Sequence, residues 1–212
     1  MTTQLTDRLE GVTVPIPGIT VDVPRLRKVV DDLVEGLMQA SEQTFDTWVR
    51  TATGKQAINL TYHRRITGID RFLMLTHGYK DLKEVHEQDV WEHDFNEMTD
   101  AIKSSYIGQL FEQIGEFHLA KHGTPIKGRH QLVWIAPGQC YDLHKDKHTP
   151  YRYHIPIRTE PNVIWLFRQG ADLDLVHMPA DGRVWELDPI KAEHTVSNYS
   201  NSLRLHLIMT SV

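Results

Sequence analysis

Past residue 128 the chain becomes a succession of short apolar runs: "RHQLVWI", "YRYHIPI", "NVIWLF", "DLVHM", "RVWEL", "EHTVSN" and "LRLHLIM". Turn formers break them up, among them "PG" at 137 to 138 and "PADG" at 179 to 182. Repeated strands at this spacing point to an all-β sandwich or barrel of the jelly-roll kind.

The first 128 residues read differently. Pro15, Pro17 and Gly18 among isolated valines indicate a loop or a short edge strand. Asp22 followed by Pro24 marks a helix start, and Leu26, Val29, Val30, Leu33, Val34, Leu37 and Met38 then recur at intervals of three and four. That stripe predicts an amphipathic helix packed on a larger body. "KQAINLTY" (55 to 62) alternates like a strand. Residues 63 to 101 are polar without a sustained period and are the candidate for an insert or lid. A second helix carries Tyr106, Leu110, Phe111, Ile114 and Phe117 on one side and ends at Gly123 and Pro125. The expected architecture is α+β: one domain over residues 1 to 212, with 1 to 128 mainly helical and loop support plus one or more strands, and 129 to 212 forming most of a jelly-roll core.

Composition narrows the function. A net charge of −5 disfavours polynucleotides as the main partner, although "YHRRITGIDR" (62 to 71) is locally basic. The apolar runs are far too short to span a bilayer, and the N-terminus has no secretory pattern. Cys140 is the only cysteine, so no internal disulfide can form, and a cytoplasmic location is expected.

Thirteen histidines are the skewed count, and several crowd into "CYDLHKDKHTPYRYHIPI" (140 to 157). Read as strand, this stretch sets His144 and Asp146 on one face, offering an imidazole nitrogen and a carboxylate oxygen to one point. His194, in a later strand of the expected jelly roll, is the natural third ligand. Two histidines and a carboxylate make a facial triad for non-haem Fe(II), although the same donors suit zinc or manganese. Arg204 tips the balance. In "LRLHLIM", Leu203, Leu205 and Leu207 face one side while Arg204 and His206 face the other. An arginine aimed into a small barrel calls for an anion, best a carboxylate. A 2-oxo acid with a distal carboxylate would chelate the metal at one end and meet Arg204 at the other, leaving a position for O2.

"HKD" (144 to 146), "RYHIPI" (152 to 157), "HMPADGRVWELD" (177 to 188), "HTVSN" (194 to 198) and "RLHLI" (204 to 208), with "PG", resemble the aspartyl/asparaginyl β-hydroxylase family. The likeness covers about residues 131 to 210, with a weaker extension over "HDFNEMTDAIKSSYIGQL" (93 to 110). It implies a double-stranded β-helix, cupin-like, and an Fe(II)- and 2-oxoglutarate-dependent dioxygenase. On that resemblance His144, Asp146 and His194 bind iron, Arg204 holds the distal carboxylate of 2-oxoglutarate, and Arg152 and His154 line the co-substrate pocket. The animal peptide-hydroxylating members lack the carboxylate ligand. Asp146 therefore sets this chain nearer the full-triad members, which include hydroxylases of free amino acids. The implied reaction hydroxylates an unactivated C–H bond of an amino acid, or of a residue in a peptide or protein, while 2-oxoglutarate is converted to succinate and CO2.

Other residues carry plainer readings. His148 shares the parity of His144 but is expected beyond the metal point. His206 either orients the co-substrate or is a core histidine, and Arg152 could instead form a structural ion pair. Trp134, Trp165 and Trp185 are expected in the core, Cys140 as a structural residue, and the remaining histidines as surface or core groups. Two other functions fit the same donors: a cupin-like metal-dependent isomerase or hydrolase that uses no 2-oxo acid, and a non-catalytic binding module on this fold.

Overall fold

The computed structural model describes residues 12–40, 56–62, 73–74 and 95–212. Most of the polar 63 to 101 segment, the basic stretch after Tyr62, and His63, His77, His86 and His93 lie outside the described residues.

Ten strands are described: β1 (Thr13–Thr20), β2 (Gln56–Asn59), β3 (Leu73–Met74), β4 (Gln131–Ile135), β5 (Tyr151–Arg158), β6 (Val163–Gln169), β7 (Asp172–Val176), β8 (Arg183–Leu187), β9 (Glu193–Asn198) and β10 (Arg204–Ser211). Three helices accompany them: α1 (Val23–Ala40), α2 (Asp100–Lys103) and α3 (Tyr106–His122). All strand pairings are antiparallel, in a seven-stranded sheet ordered β1-β8-β5-β10-β4-β2-β3 and a three-stranded sheet ordered β7-β6-β9. The fold is α+β, a jelly-roll sandwich of the cupin and double-stranded β-helix type with helices laid on the larger sheet. Every apolar run singled out past residue 128 contributes a strand. "DLVHM" is displaced, since β7 begins at Asp172 and stops before His177.

Period-two alternation sorts the side chains of the large sheet into two cores. Leu205, Leu207 and Met209 of β10, with Tyr153, Ile155 and Ile157 of β5, pack outward against Leu26, Val30 and Leu37 of α1 and Leu110 and Ile114 of α3. The inner faces meet in a second core of Ile135, Val163, Trp165, Phe167, Trp185, Leu187 and Val196. Central β10 is buried at all eight positions because both its faces are covered. Each fully buried Leu or Ile contributes about 1.5–3 kcal/mol relative to exposure. The three tryptophans expected in the core are buried.

Local chemistry sets the helix ends. The Asp22 carboxylate accepts from Arg25 N at 3.0 Å, the Ser105 hydroxyl accepts from Ile107 N at 3.1 Å, and Gly123 closes α3 in the left-handed region with φ 75°. Polar ties bind helix to sheet. Arg27 donates to Ile157 O at 2.9 Å, Arg158 pairs with Asp31, and the Lys121 ammonium lies 2.7 Å from Glu186 Oε1. Beneath α3, His118 is fully buried between the Tyr153 hydroxyl (2.7 Å) and the Ser211 hydroxyl (3.2 Å).

One element departs from the sequence reading. Residues 139 to 150 do not form a strand. They run as irregular chain and meet β9 at isolated bridges, Cys140 with Ser197 and His144 with His194, and through the Thr195 hydroxyl, which donates to Tyr141 O. The opening of "CYDLHKDKHTPYRYHIPI" is therefore loop, and only its end, from Tyr151, is strand.

Candidate metal centre

The bridge at His144 builds the site. His144 N donates to His194 O at 3.1 Å and His194 N donates to His144 O at 2.7 Å, which places the two imidazoles side by side, ring centroids 4.5 Å apart. Two residues on, Asp146 N donates to Pro189 O at 3.1 Å and brings the carboxylate back over the same point. One donor atom from each of His144, Asp146 and His194 lies within 4.8 Å of the others, and among the described residues they are the group so arranged.

The ring orientations suit a metal. Nδ1 of His144 lies 2.8 Å from Asp142 O, and Nδ1 of His194 lies 3.3 Å from Ala192 O. A carbonyl can only accept, so each Nδ1 carries a proton, and Nε2 is the nitrogen left to ligate. This is the arrangement found where histidine ligates metal. His194 is buried, and burial, helped by its His144 neighbour, lowers its pKa to about 4, so the ring is neutral near pH 7. The donor set, two imidazoles and a carboxylate, fits Fe(II) and also other borderline divalent ions.

Beyond His194 the space between the sheets is lined by polar groups. The Arg204 guanidinium sits 5.3 Å from the centroid of the Trp165 ring on the opposite sheet. Arg204 is 1% exposed, and neither its Nε nor its Nη2 has a hydrogen-bond partner. Burial pulls its pKa down to about 10, the expected direction for a cation without a counter-charge. His154 meets Trp165 at 5.0 Å and His206 at 5.8 Å between ring centroids. Both His206 nitrogens are buried without a hydrogen-bond partner, and burial beside Arg204 holds its pKa well below the ordinary range. Buried polar atoms are normally satisfied. Such donors around one space are what a polar ligand would complete.

Asn198 fixes how Arg204 enters. Its side chain donates to Ile135 O at 2.9 Å and Ser202 O at 2.8 Å, and accepts from Ser200 N at 3.0 Å. These bonds tie the 199 to 203 turn to β4 and aim the start of β10 inward.

The remaining sequence candidates separate cleanly. Arg152 pairs with Asp146, its Nη2 lying 2.7 Å from Oδ2, so the ion-pair alternative describes its contact here. His148 is exposed and outside the donor group, and Cys140 is an exposed free thiol. Tyr141 is a residue that the sequence did not single out. Its hydroxyl is buried without a partner, within electrostatic reach of Arg204 and Arg152, and burial pushes its pKa up against their pull. No local spacing marks it, because its neighbours come from β5 and β10.

No helix among the described residues is long and apolar enough to cross a membrane. The chain matches no protein-family model and no curated protein. Among solved structures it is similar to a prolyl-4-hydroxylase from Pseudomonas putida, at 13% identity over 97% of this chain and 95% of that chain, with a TM-score of 0.47. It is also similar to an oxidoreductase of the 2OG-Fe(II) oxygenase family from Burkholderia pseudomallei (18% identity, 54% of this chain, 59% of that chain, TM-score 0.44). A Cupin 2 conserved barrel domain protein from Salinispora arenicola is a further likeness (18% identity, 40% of this chain, 62% of that chain, TM-score 0.30). The chain thus spans less than two thirds of the Burkholderia and Salinispora proteins. With these TM-scores below 0.5, neither activity nor ligand carries over from these proteins.

Proposed function

We propose that this protein is an Fe(II)- and 2-oxoglutarate-dependent dioxygenase of the aspartyl/asparaginyl β-hydroxylase type. Its substrate would be a free amino acid, or an amino-acid residue in a peptide or protein, hydroxylated at an unactivated C–H bond. The observation that carries this reading is the pairing of two features through Trp165, whose ring centroid lies 6.4 Å from that of His194 and 5.3 Å from the Arg204 guanidinium: the His144, Asp146 and His194 donor group, and the buried, unsatisfied Arg204.

His144, Asp146 and His194 would hold the iron, which with 2-oxoglutarate and O2 supplies the oxidising chemistry. The chain's own work is positional. Three donors on one side would leave the opposite face of a bound ion open. Arg204 would take the distal carboxylate of 2-oxoglutarate through its free N–H groups, a charge-assisted contact that also neutralises a costly buried cation. The Tyr141 hydroxyl would donate to the same anion. His154, His206 and Arg152 would line the pocket, with His206 neutral and so able to donate one hydrogen bond. Trp165 and Phe167, stacked with centroids 5.9 Å apart beside Arg204 and His194, would wall the site and help to exclude water from the reacting centre.

Calorimetry on Fe(II)-loaded protein without oxygen tests this. Stoichiometric 2-oxoglutarate binding is expected in the wild type, with a loss of at least about 100-fold in Arg204→Met. Unchanged affinity in that variant would instead favour a metal enzyme that uses no 2-oxo acid. A succinate-release screen of amino acids and short peptides then identifies the substrate.

A further inference from the structure

Asp146 divides its two oxygens between different partners. Oδ1 lies 3.6 Å from His144 Nε2 and faces the imidazoles, while Oδ2 lies 2.7 Å from Arg152 Nη2. Both side chains are largely shielded, with Asp146 10% and Arg152 25% exposed. In a planar guanidinium, Nε and Nη2 share the edge that ordinarily takes both oxygens of one carboxylate. Here the contact falls short of that geometry: Nη2 stands at ion-pair distance from Oδ2, but neither Arg152 Nε nor Asp146 Oδ2 has a hydrogen-bond partner. The carboxylate is thus turned away from its best ion-pair geometry, toward the histidines. Asp146 N on Pro189 O holds the backbone in place, leaving the side-chain torsions to be set by Arg152.

We propose that Arg152 is a positioning residue that fixes Asp146 as a one-oxygen metal ligand. It rests on the metal-centre reading above. By holding Oδ2, Arg152 keeps the second oxygen off the ion, so that three protein atoms ligate and one face stays open. A carboxylate closing on the ion with both oxygens would take one of the positions that the open face offers to exogenous ligands. A partner of this kind, which orients a ligand without touching the metal, typically changes metal affinity by about 10–100-fold when removed.

Cobalt(II) serves as the probe because its visible absorption reports coordination number. Arg152→Gln should weaken Co(II) binding by about 10–100-fold and alter the visible spectrum, while Arg152→Lys, which keeps a cation beside Oδ2, recovers most of both. In an Asp146→Ala background Arg152→Gln should have no further effect, because the two residues act as one unit. Wild-type-like affinity and spectrum in Arg152→Gln, or additive losses in the double variant, would overturn the proposal. X-ray absorption on the Co(II)-loaded wild type tests it without any substitution. A short metal–carbon shell from a two-oxygen carboxylate overturns the proposal, and its absence supports it. If the wild type binds no Co(II), the metal-centre reading fails and takes this role with it. If the wild type binds and Arg152→Gln is indifferent, the role of Arg152 alone fails.

Discussion

His144 and His194 exchange both of their backbone hydrogen bonds, at 3.1 and 2.7 Å, so main chain alone holds the two imidazoles as neighbours. The side chains contribute little to that pairing, and His144 is 44% exposed. His144→Ala should therefore abolish stoichiometric binding of Fe(II) or Co(II) while changing unfolding free energy by less than about 1 kcal/mol. Metal titration alongside urea unfolding checks both halves.

Arg204 is expected to oppose the stability of the ligand-free protein. Its guanidinium is buried with two unpartnered N–H-bearing nitrogens, and a well-packed apolar replacement of a buried charge is commonly neutral or stabilising by about 1–4 kcal/mol. Arg204→Met should leave the melting temperature unchanged or raise it. The variant should lose the further rise that 2-oxoglutarate gives the metal-loaded wild type by mass action. Thermal scans with and without the co-substrate separate the two effects.

Gly182 is required by both its conformation and its surroundings. It has φ +90°, and a Cβ there would stand 2.7 Å from Val21 O, the atom next to the bond by which Val21 N donates to Gly182 O at 2.9 Å. Gly182→Ala should cost about 1–3 kcal/mol, read as a shift in the urea midpoint, because the strained backbone and the close carbonyl cannot both be relieved.

Acid should destabilise the fold through histidines that stay neutral when folded. Burial lowers the pKa of His118 and His130 to about 4 from an ordinary 6.5, and Thr210 N donates to His130 Nδ1 at 3.4 Å, which needs that nitrogen unprotonated. Above pH 6.5 neither state takes a proton at these rings, so their contribution is flat. Between about 6.5 and 4 the unfolded chain binds protons that the folded chain refuses, and stability falls as pH falls, by on the order of a few kcal/mol per ring. His130→Gln, which keeps an acceptor but cannot titrate, should show a shallower decline across that window when unfolding is measured as a function of pH.

Much of this arrangement is legible in the sequence, and the exceptions have physical causes. Strands β4 to β10 declare themselves as short apolar runs bounded by turn formers, with β7 displaced from its run. α1 and α3 are legible from their stripes and caps. Alternation in β10 also places Arg204 and His206 on the inner side. His144 and Asp146 converge for a different reason from the one that the sequence suggests. Residues 139 to 150 form no ladder, so strand parity has nothing to act on, and the reciprocal bonds to His194 and the single bond to Pro189 bring the donors together instead. Tyr141 is invisible to local reading because its partners in space come from β5 and β10, and the Arg152–Asp146 contact likewise depends on how loop and strand meet. The ion-pair alternative for Arg152 is available from charge alone, but its one-oxygen geometry is not.

The central claim is that the paired histidines, Asp146 and Arg204 form one oxidising site. The most direct measurement is conversion of 2-oxoglutarate to succinate by Fe(II)-loaded protein in air, without added substrate. Slow, iron-dependent succinate formation is expected, lost in His144→Ala and Arg204→Met. Iron-loaded wild type that neither binds nor consumes 2-oxoglutarate would contradict the account.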